Sequence, residues 1–334
     1  MSDSEATRQV DALMRAYSGT APGASVLVLR DGEPVVRRSY GLADLELRTA
    51  ASPATNYRLG SVTKQFTAAA ILLLNEAQQL QLDDSARKWL PELPEAAQPV
   101  TIRHLLTHTA GLVDYEEFVA DDDPQVHDAD VLRLLAKPNR MYFTPGSAYR
   151  YSNSGYALLA LIVEKASGQK FAAFLRERIF APLGMHATVA FEDGVSTVPD
   201  RAFGHSASGD SWARTDQSST SAVLGDGGIY SSIDDLARWD AALYDDRLLS
   251  KESRALAFTP VTHTDNPSVD YAYGWRVTGE TLWHSGETRG FRNVILRYPQ
   301  RKLTVIVLTN RNEPEPYATA LAIARLYLPG AQRP

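Results

Sequence analysis

Strand-forming patterns stand at both ends of this chain, and helix-forming patterns fill the middle. That division constrains the fold more than any single motif. Near the start, Ala24-Ser25-Val26-Leu27-Val28-Leu29-Arg30 reads as a buried strand. Asp31-Gly32 is a hairpin turn signal. A second strand is expected over about 34–40, with Pro34 at its start and Val35 and Val36 as its apolar part. Strand patterns return at 272–278, 291–297 and 303–309, and a closing helix is expected near 316–327. In between lie helical stretches at 101–108, 129–136, 155–166 and 170–180, and a further helix is expected at 233–244. Loops rich in Pro, Gly, Asp and Ser separate them, and the long polar run 204–222 reads as a loop. The expected fold is therefore α/β: one antiparallel sheet made from both ends of the chain, flanked by helices, with an inserted, mostly helical subdomain. The 334 residues suffice for a single composite domain. Its α/β part would cover about 20–80 and 220–330, and its helical subdomain about 81–219.

Chemistry concentrates at the stretch 59–74, Leu59-Gly60-Ser61-Val62-Thr63-Lys64-Gln65-Phe66 followed by Thr67 and an apolar run to Leu74. A glycine ends a short extended lead, a serine follows, and a long helix begins. Residues three apart share a helix face, so Ser61 and Lys64 are neighbours. The first helical turn has backbone N–H groups without intrahelical partners, and these favour negative charge. A serine there can attack a carbonyl, while its own N–H holds the oxygen that becomes negative. Lys64 can take the serine proton if burial keeps the amine neutral. This is a Ser-x-x-Lys motif. The same spacing occurs at Ser85–Lys88 and Ser167–Lys170, which read as loop or capping serines because neither heads a long apolar helix.

Composition narrows the function classes. The formal charge is −6 with no long basic run, which argues against nucleic acid or an anionic membrane as a partner. There are no cysteines, so disulfides, thiol catalysis and Cys-based metal sites are excluded. No apolar run approaches the length of a membrane span. The N-terminal residues carry no leader pattern, so a cytoplasmic location is expected, or a periplasmic or secreted one if a leader was removed.

Two further motifs can carry chemistry. Tyr151-Ser152-Asn153 follows a Thr-Pro-Gly loop and leads into the helix at 155. A phenol can serve as a general base near cations, and the amide of Asn153 can bind a substrate carbonyl or a lysine. His284-Ser285-Gly286 follows the strand-like Thr281-Leu282-Trp283. A strand edge ending in glycine allows close backbone approach, and its N–H groups can pair with a substrate or an oxyanion. Alone, each also fits an ordinary loop or strand end. His104 and His108 are four apart, but the glutamate of His-Glu-x-x-His is missing between them, so a structural role is expected. Gly204-His205-Ser206-Ala207-Ser208 lacks the final glycine of a nucleophile elbow.

In this order and at these wide separations, the three motifs resemble those of class C β-lactamase and DD-peptidase-like serine hydrolases. The resemblance runs from near residue 20 to near residue 328. It includes the phrase from Arg103 through His108-Thr109-Ala110-Gly111-Leu112 and the phrase Gly227-Gly228-Ile229-Tyr230-Ser231-Ser232. It implies a β-lactamase/transpeptidase-like fold, with Ser61 as nucleophile and Lys64 and Tyr151 as the base system. Asn153, His284, Ser285, Gly286 and Glu287 would meet substrate, and the N–H groups of Ser61 and Glu287 would form the oxyanion hole. Two departures matter. His284-Ser285-Gly286 stands where class C enzymes usually have Lys-Thr-Gly, and Glu287 stands where a small or hydroxyl residue is common. A carboxylate there repels a substrate carboxylate unless Arg289 or Arg292 offsets it. The expected function is a serine hydrolase forming an acyl-enzyme on an ester or peptide-like amide, as an esterase or D-amino-acid-type peptidase and at most a weak β-lactamase. The alternative is a non-catalytic peptide- or muropeptide-binding or structural member of the same family. No metal or cofactor is implied, the partner is a small-molecule or short-peptide substrate, and the oligomeric state is left open.

Overall fold

The run Ala24–Arg30 is buried from Ala24 through Leu29, because alternate side chains enter two different cores. Val26 and Val28 belong to one apolar cluster, Leu27 and Leu29 to the other. In the computed structural model, which describes residues 3–328, this strand (β1) lies inside an eight-stranded antiparallel sheet. The others, in chain order, are β2 (Glu33–Tyr40), β3 (Thr262–His263), β4 (Asp270–Tyr271), β5 (Arg276–Thr278), β6 (Thr281–Thr288), β7 (Phe291–Tyr298) and β8 (Leu303–Thr309). The spatial order is β3-β4-β5-β6-β7-β8-β1-β2. The first strand therefore pairs with the last, Val26 opposite Val307 and Leu27 opposite Ile306. The expected antiparallel sheet from both chain ends is what forms.

The helices Asp3–Leu13 and Tyr317–Tyr327 cover one face of the sheet, through Val10, Leu321, Ile323 and Ala324 against Val26, Val28, Val294 and Val305. The other face packs on the helix Lys64–Glu76 and the helical middle, with Phe66, Ile71 and Leu72 in the same cluster as Leu27, Ile295 and Ile306. The helix Ile233–Ala242 is tied to this side by a buried ion pair. Arg297 Nε donates to Asp240 Oδ1 at 2.5 Å, and Thr304 Oγ1 donates to the same oxygen at 2.8 Å. Both charged side chains are almost fully shielded from solvent. Removing one partner would strand the other charge, at a cost of about 3–5 kcal/mol. Among the described residues no helix is long and apolar enough to cross a membrane.

Four local expectations change. The strand expected at 272–278 is broken into β4 and β5, because Ala272 N–H bonds back to the Trp275 carbonyl in a tight turn. The polar run 204–222 is not all loop: it contains a hairpin, His205–Ser208 with Ser211–Arg214. Both its faces are largely polar, so no alternation announced it. The stretch 170–180 is helical but opens into a π-helical turn at Arg176–Phe180. A helix at Lys251–Phe258 was not anticipated.

Candidate active site

Ser61 is held from both directions along the chain. Tyr57–Arg58 is a two-residue strand pairing with Ile229–Ser231, Tyr57 opposite Ser231 and Arg58 opposite Tyr230. After it, Gly60–Thr63 forms a 3₁₀ turn and Lys64–Glu76 an α-helix. Every residue from Lys64 to Leu74 is buried, as expected of a helix that is apolar nearly all round. Gly60 has φ +56, and a Cβ on it would lie 2.9 Å from the Glu287 nitrogen. Only glycine lets this turn lie against the third motif. In a 3₁₀ turn, side chains three apart eclipse, so Ser61 and Lys64 stand side by side. Lys64 Nζ is 3.0 Å from Ser61 Oγ.

Lys64 is fully buried. Its Nζ also reaches Asn153 Oδ1 at 2.8 Å and the Asp226 carbonyl oxygen at 2.9 Å. Asn153 is the first residue of the helix Asn153–Ser167, whose N-cap Ser152 accepts a hydrogen bond from the Gly155 N–H. The Asn153 amide is oriented by Nδ2 donating to Glu116 Oε1 at 2.7 Å, which leaves Oδ1 for the lysine. These contacts suit both protonation states. An ammonium fills all three with N–H donors, whereas a neutral amine keeps two donors on Asn153 and Asp226 and aims its lone pair at Ser61. Tyr151 stands next to this centre, with Lys64 Nζ 4.9 Å from its ring centroid. Its hydroxyl is buried and has no hydrogen-bond partner.

The third motif lies on β6. Gly286 is the point of closest approach: a Cβ there would sit 1.9 Å from the Leu59 carbonyl oxygen. The glycine expected to admit a substrate backbone instead admits the backbone leading to Ser61. Gly286→Ala should therefore push the Ser61 turn off the sheet. A loss of about 1–3 kcal/mol of stability, together with activity, is expected in melting and turnover assays. A fully active variant melting like the parent would contradict this packing.

His284 does not line the cavity beside Ser61 and is buried. Its Nδ1 donates to the Ser285 carbonyl at 2.6 Å, which leaves Nε2 to accept from the Tyr271 hydroxyl at 3.0 Å. Burial, with Arg276 and Lys64 nearby, holds its pKa well below the usual histidine value. The ring is neutral, with both nitrogens engaged inside the protein, and its centroid lies 6.2 Å from that of Tyr151. The expected direct contact of His284 with substrate is thus replaced by a place beside Tyr151. Ser285 is half-buried opposite Val294. Glu287 is exposed and paired with Arg292 at 2.7 Å, so Arg292 supplies the offsetting cation, while Arg289 turns toward Asp121 at 3.7 Å.

A cavity of about 70 Å³ beside Ser61 is lined by Arg58, Tyr115, Glu116, Asn153, Asp226 and Glu287 among others. It continues into a groove of about 450 Å³ that shares Glu116, Thr220, Glu287 and Thr288 with it. Glu116, Asp226 and Arg58 were not singled out from sequence. For Asp226 the run Gly225-Asp226-Gly227-Gly228 was the available signal, since backbone this bare can bring a carbonyl to a buried lysine. Glu116, in a short 3₁₀ turn, gave none. Arg58 Nε donates to the Gly227 carbonyl at 3.3 Å and its Nη2 to the Ser221 carbonyl, which ties the strand before Ser61 to this loop.

Burial pushes the Asp226 carboxyl up to about 7, against the pull of Lys64 and with Glu116 and Asp128 adding to the rise. Asp128, which accepts the Leu224 and Gly225 N–H groups at 2.9 and 3.0 Å, is raised to about 6 by burial. A carboxyl whose folded pKa is raised stabilises fully below its unfolded pKa, and that contribution is lost as pH rises through the folded value. The parent should therefore lose stability relative to Asp226→Asn between about pH 4 and 7, by at most ~4 kcal/mol. Melting temperatures of both proteins across pH 5–8 test this. A pH-independent difference would refute it.

The competing serines do not build such a centre. Ser85 Oγ donates to the Gln98 carbonyl while Lys88 pairs with Asp84, and Ser167 Oγ donates to Val163 while Lys170 faces Glu164. The two histidines spend Nδ1 on backbone amides, His104 on Thr101 and His108 on Ser152.

Sequence and structure comparisons show the family to which the chain belongs. The Beta-lactamase family model matches residues 8–328. A penicillin-binding protein of Bacillus subtilis (strain 168) is 34% identical over 319 residues, covering 89% of this chain and 70% of that one. A D-aminopeptidase of Gluconobacter oxydans (strain 621H) is 30% identical over 97% of this chain, which spans 62% of that longer protein. The octameric penicillin-binding protein homologue from Pyrococcus abyssi superposes with a TM-score of 0.84 at 28% identity, over 98% of this chain and 78% of that one. With a family match over almost its whole length, the chain belongs to the Beta-lactamase family of serine hydrolases.

Proposed function

We propose that the protein hydrolyses an ester or peptide-like amide through an acyl-enzyme on Ser61. The 3.0 Å contact between buried Lys64 Nζ and Ser61 Oγ carries this reading. Ser61 Oγ attacks the substrate carbonyl, and its proton passes to the Lys64 amine. The N–H groups of Ser61 and Glu287 hold the developing oxyanion. The proton then goes to the leaving group as the carbonyl–leaving-group bond breaks, with Tyr151 sharing this transfer. Water attacks the acyl-enzyme, gives up a proton to the same base system, and releases the acid and free Ser61. Asn153 holds Lys64 in place and lines the cavity. Labelling by a fluorophosphonate probe, together with a panel of p-nitrophenyl esters, D-amino-acid amides and β-lactams, tests the reading. Absence of labelling in folded protein would leave a binding role instead.

The likeness to a D-aminopeptidase supports an amino-acid amide as one substrate choice, and the electrostatics narrows it. Glu116, Asp226 and Glu287 line the cavity at Ser61. Arg292 offsets Glu287, which leaves Glu116, beside Asn153, as a carboxylate facing substrate, and the third-motif His284 is neutral. Neutral or cationic acyl donors should therefore be better substrates than those with a free carboxylate beside the scissile bond. Because Glu287→Ser releases Arg292 from its partner, it is expected to raise kcat/KM for a β-lactam relative to a short-chain p-nitrophenyl ester. A parent enzyme that already prefers the β-lactam by a wide margin would refute this specificity.

A further inference from the structure

His108 takes no part in the chemistry above, yet its surroundings are unusually restrictive. It is 1% exposed and adopts φ +59 just after the helix Ile102–Leu106. A left-handed backbone costs a non-glycine residue roughly 1–2 kcal/mol and persists where neighbours over-determine it. Here two hydrogen bonds do so. The His108 carbonyl accepts the Arg150 N–H at 2.9 Å, and His108 Nδ1 accepts the Ser152 N–H at 3.0 Å. Those are the amides on either side of Tyr151. The imidazole also lies against the Tyr151 ring, centroids 4.3 Å apart and planes at 36°, with the Tyr271 ring 4.5 Å away. A backbone amide can only donate, so Nδ1 must be the acceptor and the ring carries its proton on Nε2. Burial, with Lys64, His284 and Arg276 nearby, holds the His108 pKa well below the usual value, so the ring stays in this form.

We infer that His108 is the positioning residue for Tyr151: its carbonyl and ring nitrogen grip the flanking amides while its ring buttresses the phenol beside Lys64. This rests on the proposed role of Tyr151 in the base system. A mere core filler would need neither the acceptor nor the coupling to Tyr151, and that difference is measurable. His108→Gly relieves the backbone strain and removes the ring with its Nδ1 acceptor, while the carbonyl that accepts the Arg150 N–H stays. It should lower kcat for a p-nitrophenyl ester by about 10²-fold, the scale of a displaced catalytic group, with KM nearly unchanged. His108→Asn places an amide oxygen near the Nδ1 position and tolerates left-handed φ, so it should recover most of the loss. In the Tyr151→Phe background, His108→Gly should cost little more. If the glycine variant fails to fold, His108→Gln, whose acceptor sits one atom too far, replaces it in the same comparison. Parent-like kcat without the imidazole, or full multiplicativity with Tyr151→Phe, overturns the inference while leaving Tyr151 as base. A slow His108 variant beside a fully active Tyr151→Phe overturns both roles, and intact fluorophosphonate labelling would then keep Ser61 as nucleophile.

Discussion

Ser61→Ala should abolish turnover and covalent labelling, lowering kcat by at least about 10⁴-fold, while the protein melts as the parent does. The nucleophile supplies the bond on which the acyl group waits, and no neighbour can replace it. Ser85 and Ser167 are spent on backbone carbonyls far along the chain, with their lysines paired to carboxylates. The loss is of the size seen when one member of a nucleophile–base unit is deleted. The fold should survive because Lys64 keeps Asn153 and the Asp226 carbonyl as acceptors when the hydroxyl goes. Ser85→Ala and Ser167→Ala should be near neutral for activity. Normal hydrolysis by the Ser61→Ala protein would remove the assignment.

The base system makes a second large prediction, with a contrast built in. Lys64→Ala and Tyr151→Phe should each lower kcat by ~10²–10⁴-fold. Their effects on stability should differ. Removing the amine leaves the Asn153 oxygen and the Asp226 carbonyl without a donor in a buried place, which costs about 1–3 kcal/mol. Removing the Tyr151 hydroxyl strands nothing, because that oxygen has no hydrogen-bond partner in the folded protein. The double variant should be much less impaired than the product of the two losses, since the groups act as a unit. Full multiplicativity in kcat would show that they act independently.

How legible all this is in the sequence depends on the range of the force concerned. The sheet was readable because β1 and β8 are largely runs of β-branched and aliphatic residues and β7 holds Val294-Ile295-Leu296, and such runs announce themselves locally. The Ser61–Lys64 pair was readable because a helix-like turn fixes residues three apart. The hairpin at 205–214 carried no apolar alternation, and the break at 272–275 depends on a turn packed against distant backbone. His284 could be found but not oriented: its Nε2 is engaged by Tyr271, which reaches it from β4 across β5. Glu116 and Asp226 reach the site from opposite parts of the chain, and only the packing around Lys64 gives them meaning. The offset of Glu287 by Arg292 was anticipated as one of two options, because the pair lies across a hairpin whose register the sequence leaves open.

The place of β1 also sets a timetable for synthesis. Its partners are β2, which follows at once, and β8, which leaves the ribosome only after residues 31–302 have been made. Until then Val26 and Val28 have neither their far neighbour strand nor the helix Tyr317–Tyr327 that covers them. Non-local pairing of this kind is slow and exposes unpaired edges. The helical middle, with its local contacts, can condense on the nascent chain first. The sheet, and with it the approach of Gly286 to Leu59 that sets Ser61, closes only once β8 has emerged. A nascent chain stalled before β8 therefore has its nucleophile and its lysine but not the strand pairing that completes the sheet around them.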